Sequence, residues 1–310
     1  MSDSGRGFSA HPRLAQLVQR AAARAAAAPG GAPRLGIVWP CDALAREAAE
    51  AIAAAGIAEP VLVGPQARIR AAGFDERFEL VDCADEPAAA AREAVALARA
   101  GRLGALMKGS LHTDELLAAV VARDGGLRRA GRRISHAMWF DLPSYPKPLV
   151  LADVVVNIAP DLETKAQILA NALELLRRLG TAQPKAAIIA AVEVLNPAIP
   201  ATLDARALVQ RAHAGEFGAA VVEGPLGFDN AFSAAAARTK NIESAVAGDA
   251  DLMLVPDLNA GNLLYKSFVY AAGADCAGIV LGAQVPIVLT SRADTARARL
   301  ASAALTSLAA

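Results

Sequence analysis

Short apolar runs recur along the chain, each followed by a longer segment with apolar positions at helical spacing. Leu35–Trp39, Pro60–Val63, Phe78–Val81 and Leu103–Met107 read as strands, and Leu14–Ala28, Cys41–Ala55 and Glu86–Ala100 as helices. Asp42 is placed to open the second helix, while Gly56 and Gly101 are placed to close the second and third. Alternation of this kind predicts βαβ units and a parallel sheet. The second half repeats it, with strands over Ile134–Phe140, Leu149–Ile158, Ala186–Val192 and Ala219–Glu223, and helices over Leu162–Leu179, Ala205–Ala212 and Phe232–Arg238. Pro143, Pro146 and Pro148 make one rigid connection, near which a change of domain is expected.

Two further runs, Leu252–Val255 and Val285–Leu289, are apolar throughout, as strands buried on both faces are. The first empties into Pro256–Asn262 and the second into Thr290–Asp294. Ligands in open α/β folds gather at the carboxyl ends of strands, so the two loops are expected to face each other across one cleft.

Composition narrows the class. With 310 residues, 55% hydrophobic and 20% charged, the chain can bury a large core, and its length favours two domains. Thirty-one basic and 31 acidic residues cancel, which argues against a field that draws in nucleic acid or a membrane surface. An anionic ligand must then be held by local positive groups. Cys41, Cys83 and Cys276 form no CxxC pair and read as bystander thiols rather than zinc ligands or a disulfide framework. No apolar run approaches a membrane span, and Met1–Pro12 is too polar for a signal peptide, so a cytoplasmic protein is expected.

Lys108 follows a strand directly and precedes a helix that Ser110 or Thr113 can cap, a placement suited to an anion or, equally, to a solvated lysine. His112 has no metal partner at ligand spacing and reads as a capping or surface residue. Asp124–Arg133 is a glycine-rich turn with four arginines, either a solvated face or a holder of phosphate. The phosphate loop GxxxxGK[ST], the dinucleotide fingerprint GxGxxG, the GxSxG elbow and the HExxH pair are all missing from the sequence.

Several segments, in order, resemble the phosphate acetyl/butyryltransferase family: Leu106-Met107-Lys108-Gly109, Arg133-Ile134-Ser135-His136, Tyr145-Pro146-Lys147-Pro148, Asn157–Leu162, Glu223–Leu226 with Phe228-Asp229-Asn230, Val255–Leu258 with Ala260-Gly261-Asn262, and Pro286–Asp294. The resemblance is greatest to the acyltransferase half of proteins that fuse it to an enoyl-CoA hydratase domain. It implies two three-layer α/β domains like those of isocitrate and isopropylmalate dehydrogenases, residues 1–138 plus 284–310 and residues 139–283, with a cleft between them. It also implies a homodimer that transfers a short acyl group between coenzyme A and inorganic phosphate. Coenzyme A is then a substrate, and no bound cofactor or metal is called for.

The residues suit that chemistry on their own terms. Arg292 can hold phosphate in a bidentate fork, and Ser291 can donate to phosphate or to the thioester oxyanion. A carboxylate is useful mainly as base toward the thiol, for which the cysteine pKa of about 8.5 serves as a model. In the better-known acetyltransferases an aspartate follows the serine by seven positions, where this chain has Ala298. Asp294, with Asp257 as rival, is the remaining candidate. An arginine expected in the helix after Lys108 falls at Leu117, which leaves Arg128, Arg132 or Arg133 to supply that charge. Asp257 and Asn262 either act on substrate or brace their own turn, and Lys266 either pairs with a coenzyme phosphate or lies on a helix face. Two other readings compete: an NAD-dependent dehydrogenase using Asp249, Asp251 and Asp257 around a metal, and a catalytically idle relative that binds acyl-CoA or acyl phosphate.

Overall fold

The computed structural model describes residues 12–289 and 295–310. Two compact units emerge, one running up to Ile134 and resuming at Cys276, the other spanning Ser135–Asp275.

In the first unit, helix α1 (Pro12–Ala27) precedes β1 (Arg34–Val38), α2 (Ala43–Ala54), β2 (Glu59–Val63), α3 (Gln66–Ala71), β3 (Glu79–Val81), α4 (Pro87–Arg99), β4 (Ala105–Lys108) and α5 (Thr113–Val121). After the excursion through the second unit, β10 (Asp275–Leu281), β11 (Ile287–Val288) and α11 (Ala296–Ala309) complete it. The strands lie in the order β3-β2-β1-β4-β11-β10. All neighbours are parallel except β10 and β11, which form an antiparallel pair.

Local chemistry accounts for the ends of these elements. Asp42 caps α2 by accepting the Ala45 N–H at 2.7 Å, and Gly56, just past its end, takes the left-handed φ of +65° that a side chain would resist. Arg24 of α1 donates to the carbonyls of Leu308 at 2.7 Å and Ala310 at 2.9 Å, so a helix-end cation satisfies carbonyls at the C-terminus of α11. Two elements depart from the periodicity. Helix α3 is too short to show a repeat, and β10 was hidden because Asp275 and Gly278 break up its apolar run.

The second unit contains β5 (Ser135–Asp141), β6 (Leu149–Ala152), α6 (Leu162–Arg178), β7 (Lys185–Ile189), α7 (Pro200–His213), β8 (Val221–Leu226), α8 (Phe228–Phe232), α9 (Ala234–Thr239), β9 (Leu252–Leu254) and α10 (Leu258–Tyr270). Their order is β5-β6-β9-β7-β8, with β5 antiparallel to β6 and the rest parallel.

Several predicted boundaries change here, each for a visible reason. The strand expected over Leu149–Ile158 stops at Ala152, because the Asp153 carboxylate accepts the N–H groups of Val155 at 2.9 Å and Val156 at 2.8 Å and turns the chain. Helix α7 begins at Pro200 rather than Ala205, since proline is tolerated in a first turn. The helix expected over Phe232–Arg238 is broken at Ser233, whose hydroxyl caps α9. Most consequentially, Leu258–Asn262 is not loop but the first turn of α10. The rigid Tyr145–Pro148 connection is anchored by Tyr145, whose hydroxyl donates to Ala250 O at 2.8 Å, and by Lys147, paired with Asp249 at 2.8 Å and Asp251 at 2.7 Å.

Candidate active site

In the first unit the carboxyl edge of the sheet brings three chain segments side by side. Val38 pairs with Lys108, and Met107 pairs with Val288, so β1, β4 and β11 end together. Trp39, directly after β1, holds a φ of 56°, a costly conformation for a bulky residue. Its carbonyl accepts three donors, the N–H groups of Cys41 at 2.9 Å and Ser110 at 2.9 Å and the Ser110 hydroxyl at 2.8 Å. Ser110 in turn accepts the Cys41 N–H at 3.2 Å. Ser110 therefore ties β1 to β4 and does not cap α5. His112 occupies the cap position, and Glu115 closes the turn by accepting the His112 N–H at 2.8 Å.

Lys108 is buried, with 2% of its surface exposed, and its ammonium donates to Leu111 O at 3.0 Å and Gly109 O at 3.3 Å. The charge thus sits inside the loop between β4 and α5 and is not a solvated surface lysine. Gly109 is required there, because a Cβ would come within 2.5 Å of Val38 O and 2.6 Å of Trp39 O. The thiol of Cys41, next to this edge, is pushed up to about 11 by burial and stays protonated at neutral pH, as a bystander would.

Chain emerging from β11 passes through Leu289 into Thr290–Asp294, and resumes at Thr295, whose hydroxyl caps α11 by accepting the Ala298 N–H at 3.2 Å. Ser291, Arg292 and Asp294 lie outside the described residues. Ala298, at the position where the better-known acetyltransferases carry an aspartate, is in the first turn of α11.

The arginine-rich turn falls into two parts. Arg128 bridges to Ala283, and Gln284 N–H donates to Leu127 O at 2.7 Å, so this end of the turn pairs with the connection between β10 and β11. That connection precedes β11, which places Arg128 toward the amino edge of β4 and β11, opposite the edge where Lys108 sits. Arg133 is exposed, five residues further on.

In the second unit the carboxyl ends of β6 and β9 meet at Asp153 and Asp257. Asp153 is 3% exposed and accepts the His136 N–H at 3.0 Å and the Asn157 side chain at 2.6 Å, besides its own turn. Asp257 caps α10 by accepting the Ala260 N–H at 3.0 Å, and Asn262 donates to Val154 O at 3.4 Å. Gly261 lets α10 approach, since a Cβ would meet Asp153 O at 2.5 Å. The brace reading of Asp257 and Asn262 therefore has a specific geometry. Lys266 is exposed on α10.

His136 enters the sequence reading only within a family segment, with no role of its own. Its ring is fully buried, neither nitrogen has a hydrogen-bond partner, and burial lowers its pKa to about 4, with the nearby Asp153 charge partly opposing that. Only the register of β5 against β6, Ala137 opposite Ala152, puts it beside Asp153. The crowded acids Asp249 and Asp251 are neutralised by lysines: Lys147 contacts both, and Lys185 pairs with Asp249 at 2.6 Å. With Asp257 spent on its helix cap, the carboxylate set of the dehydrogenase reading is dispersed.

Parallel strands that empty into a buried lysine loop on one unit and a capped helix N-terminus on the other define an α/β protein with polar side chains gathered at its strand ends, where ligands of such folds bind. Residues 83–307 match the family described as phosphate acetyl/butaryl transferase, and the chain belongs to it. It is 48% identical over 289 residues to the phosphate acetyltransferase of Rhizobium meliloti, covering 91% of each protein. It is 45% identical over 222 residues to a probable phosphate butyryltransferase of Bacillus subtilis (strain 168), covering 72% of this chain and 74% of that one. Among solved structures, a branched-chain phosphotransacylase from Enterococcus faecalis V583 superposes with a TM-score of 0.80 at 29% identity, covering 89% of this chain and 98% of that chain.

Proposed function

We propose that the protein is a phosphate acyltransferase that moves a short acyl group, acetyl to butyryl, between coenzyme A and inorganic phosphate. The observation that carries this reading is the 48% identity to a phosphate acetyltransferase across 91% of both chains. Phosphate attacks the acyl-CoA thioester directly in a ternary complex, so no acyl-enzyme forms, and free thiol and acyl phosphate leave. Arg292 binds phosphate, and Ser291 donates to the developing oxyanion. In the reverse direction Asp294 takes the proton from the thiol, with Asp257 as the rival base.

Lys108 and Ser110 shape the wall of the phosphate site, Lys108 through its buried charge and Ser110 through its tie to Trp39. Arg133 is the better source of additional charge, because Arg128 is drawn to the opposite edge of the sheet by Ala283. Asn262 positions the first turn of α10, and Lys266, exposed on that helix, meets a coenzyme phosphate. The protein acts in the cytoplasm as a homodimer. Among the described residues no helix is long and apolar enough to cross a membrane.

The deciding experiment is phosphate- or arsenate-dependent release of free thiol from acetyl-, propionyl- and butyryl-CoA. Thiol release that requires the oxyanion supports the proposal, and the preferred acyl length follows from the same panel, since each methylene is worth about 1–3 kcal/mol in a fitted pocket. Tight acyl-CoA binding without turnover overturns it in favour of a non-catalytic binder.

A further inference from the structure

On the first unit, α4 packs on α5 and leaves a groove of about 550 Å3 lined by Arg92, Val95, Ala96, Arg99, Ala119 and Ala122, with Asp124 and Gly125 among the remaining wall residues. Arg92 and Arg99 are exposed and seven residues apart on α4. Seven residues are close to two helical turns, so both side chains leave the same face, with Cα atoms about 10 Å apart along the axis. Between and below them Val95 and Ala96, with Ala119 from α5, form an apolar floor. Neither arginine is ion-paired among the described residues, whereas Arg46, Arg68, Arg77, Arg178 and Arg211 of this chain all have carboxylate partners.

A position near the C-terminus of α4 accounts for Arg99 by the helix dipole, but not for Arg92, which lies mid-helix. Two guanidiniums at either end of a short hydrocarbon floor match a ligand with an anion at each end and methylenes between. Asp124 on the rim disfavours a third negative group and tightens the choice to a linear dianion.

We propose that this groove binds a linear aliphatic dicarboxylate, each carboxylate held by one arginine and the chain lying on the alanines. Helix α5 joins the groove to the Lys108 loop, and the turn beyond it leads to Arg128, so an occupant bears on both basic segments. That consequence for activity rests on the acyltransferase reading, while the binding itself does not.

The test is calorimetric titration of the full chain with succinate, glutarate, adipate and suberate, in low salt so that the charges are not screened. Binding that varies with chain length, and weakens about 10-fold or more in each of Arg92→Ala and Arg99→Ala, is the expected result. Ala119→Leu, which fills the floor, should abolish binding while leaving the circular dichroism melt within a few degrees of wild type. Equal affinity in wild type and both arginine variants overturns the proposal, as does the absence of heat at millimolar dicarboxylate. In the thiol-release assay the best-binding dicarboxylate should alter KM for phosphate in wild type and not in Arg92→Ala. An effect that persists in Arg92→Ala places the ligand in the catalytic site instead and overturns the assignment of the groove. If thiol release fails altogether while the arginine-dependent titration holds, the acyltransferase reading fails and the groove stands.

Discussion

The carboxylate of Asp153 accepts the backbone N–H of His136 at 3.0 Å, joining the turn after β6 to the first residues of β5. The same carboxylate accepts Val155 N, Val156 N and the Asn157 amide, so one buried side chain satisfies four donors. Replacing it with alanine would strand backbone N–H groups in the interior. Asp153→Ala should cost on the order of 3 kcal/mol, read from the shift in the denaturant midpoint at unchanged m. Asp153→Asn keeps one acceptor oxygen and should cost less. Equal stability of wild type and Asp153→Ala would show that water replaces the carboxylate.

His136 gives stability a pH dependence of definite sign. Burial holds its folded pKa near 4, below the ordinary value of 6.5. The unfolded chain therefore binds a proton that the folded chain refuses as pH falls from about 6.5 toward 4, and stability drops across that window. Below about pH 4 both states are protonated and the loss is complete. His136→Asn, which carries no titrating group, should flatten the profile of denaturant midpoint between pH 7 and pH 5. A wild-type slope that survives the substitution would assign the effect to other groups.

These two residues also show what the sequence does and does not make legible. The alternation of strands and helices, the cap at Asp42 and the strand-end position of Lys108 could all be read from local pattern, because each is set by neighbours a few residues away. The contact between His136 and Asp153 depends on the antiparallel register of β5 and β6, which no local pattern specifies. Likewise Arg128 and Arg133 share one charge run, yet the bridge to Ala283, distant in sequence, commits Arg128 to one edge of the sheet. Asp257 reads from the sequence as acting on substrate or bracing its own turn, and that the brace is the cap of a helix rather than a loop turn depends on Gly261, which allows α10 to pack on Asp153.

Ser291→Ala and Arg292→Ala should each lower kcat/KM for acyl-CoA and phosphate by about 100-fold or more, if they serve the oxyanion and the phosphate as proposed. Arg292→Lys keeps the charge but loses the planar fork, and should recover little of the loss. Initial-rate kinetics in both directions measure these effects. Activity at the wild-type level in Ser291→Ala would remove that serine from the mechanism.

The rival carboxylates separate by where the damage appears. Asp294→Asn should reduce kcat mainly for thiol acylation by acyl phosphate, where a proton must leave the thiol, and do less in the phosphate-attack direction near neutral pH. Its stability should be nearly unchanged. Asp257→Asn keeps an oxygen able to accept Ala260 N–H, while Asp257→Ala loses the α10 cap and should cost about 1 kcal/mol. A large direction-dependent kcat loss in Asp257→Asn, with Asp294→Asn unaffected, would exchange the two roles.

Gly109 lies between β1 and the Lys108 loop proposed to wall the phosphate site, so a substitution there tests stability and function together. Alanine there would press a Cβ within 2.8 Å of Trp39 C as well as onto the carbonyls of Val38 and Trp39, all backbone atoms that cannot swing aside. Relief requires the Lys108 loop to move away from β1, which weakens the Ser110 ties to Trp39 and displaces the buried ammonium from Leu111 O. Gly109→Ala is expected to destabilise the fold by about 1–3 kcal/mol, the range for overpacked interiors. Because the shifted loop lies beside the end of β11, KM for phosphate should rise more than KM for acyl-CoA. Unfolding curves and initial rates on the same preparation check both parts, and a destabilised variant with both KM values unchanged would detach the Lys108 loop from the phosphate site.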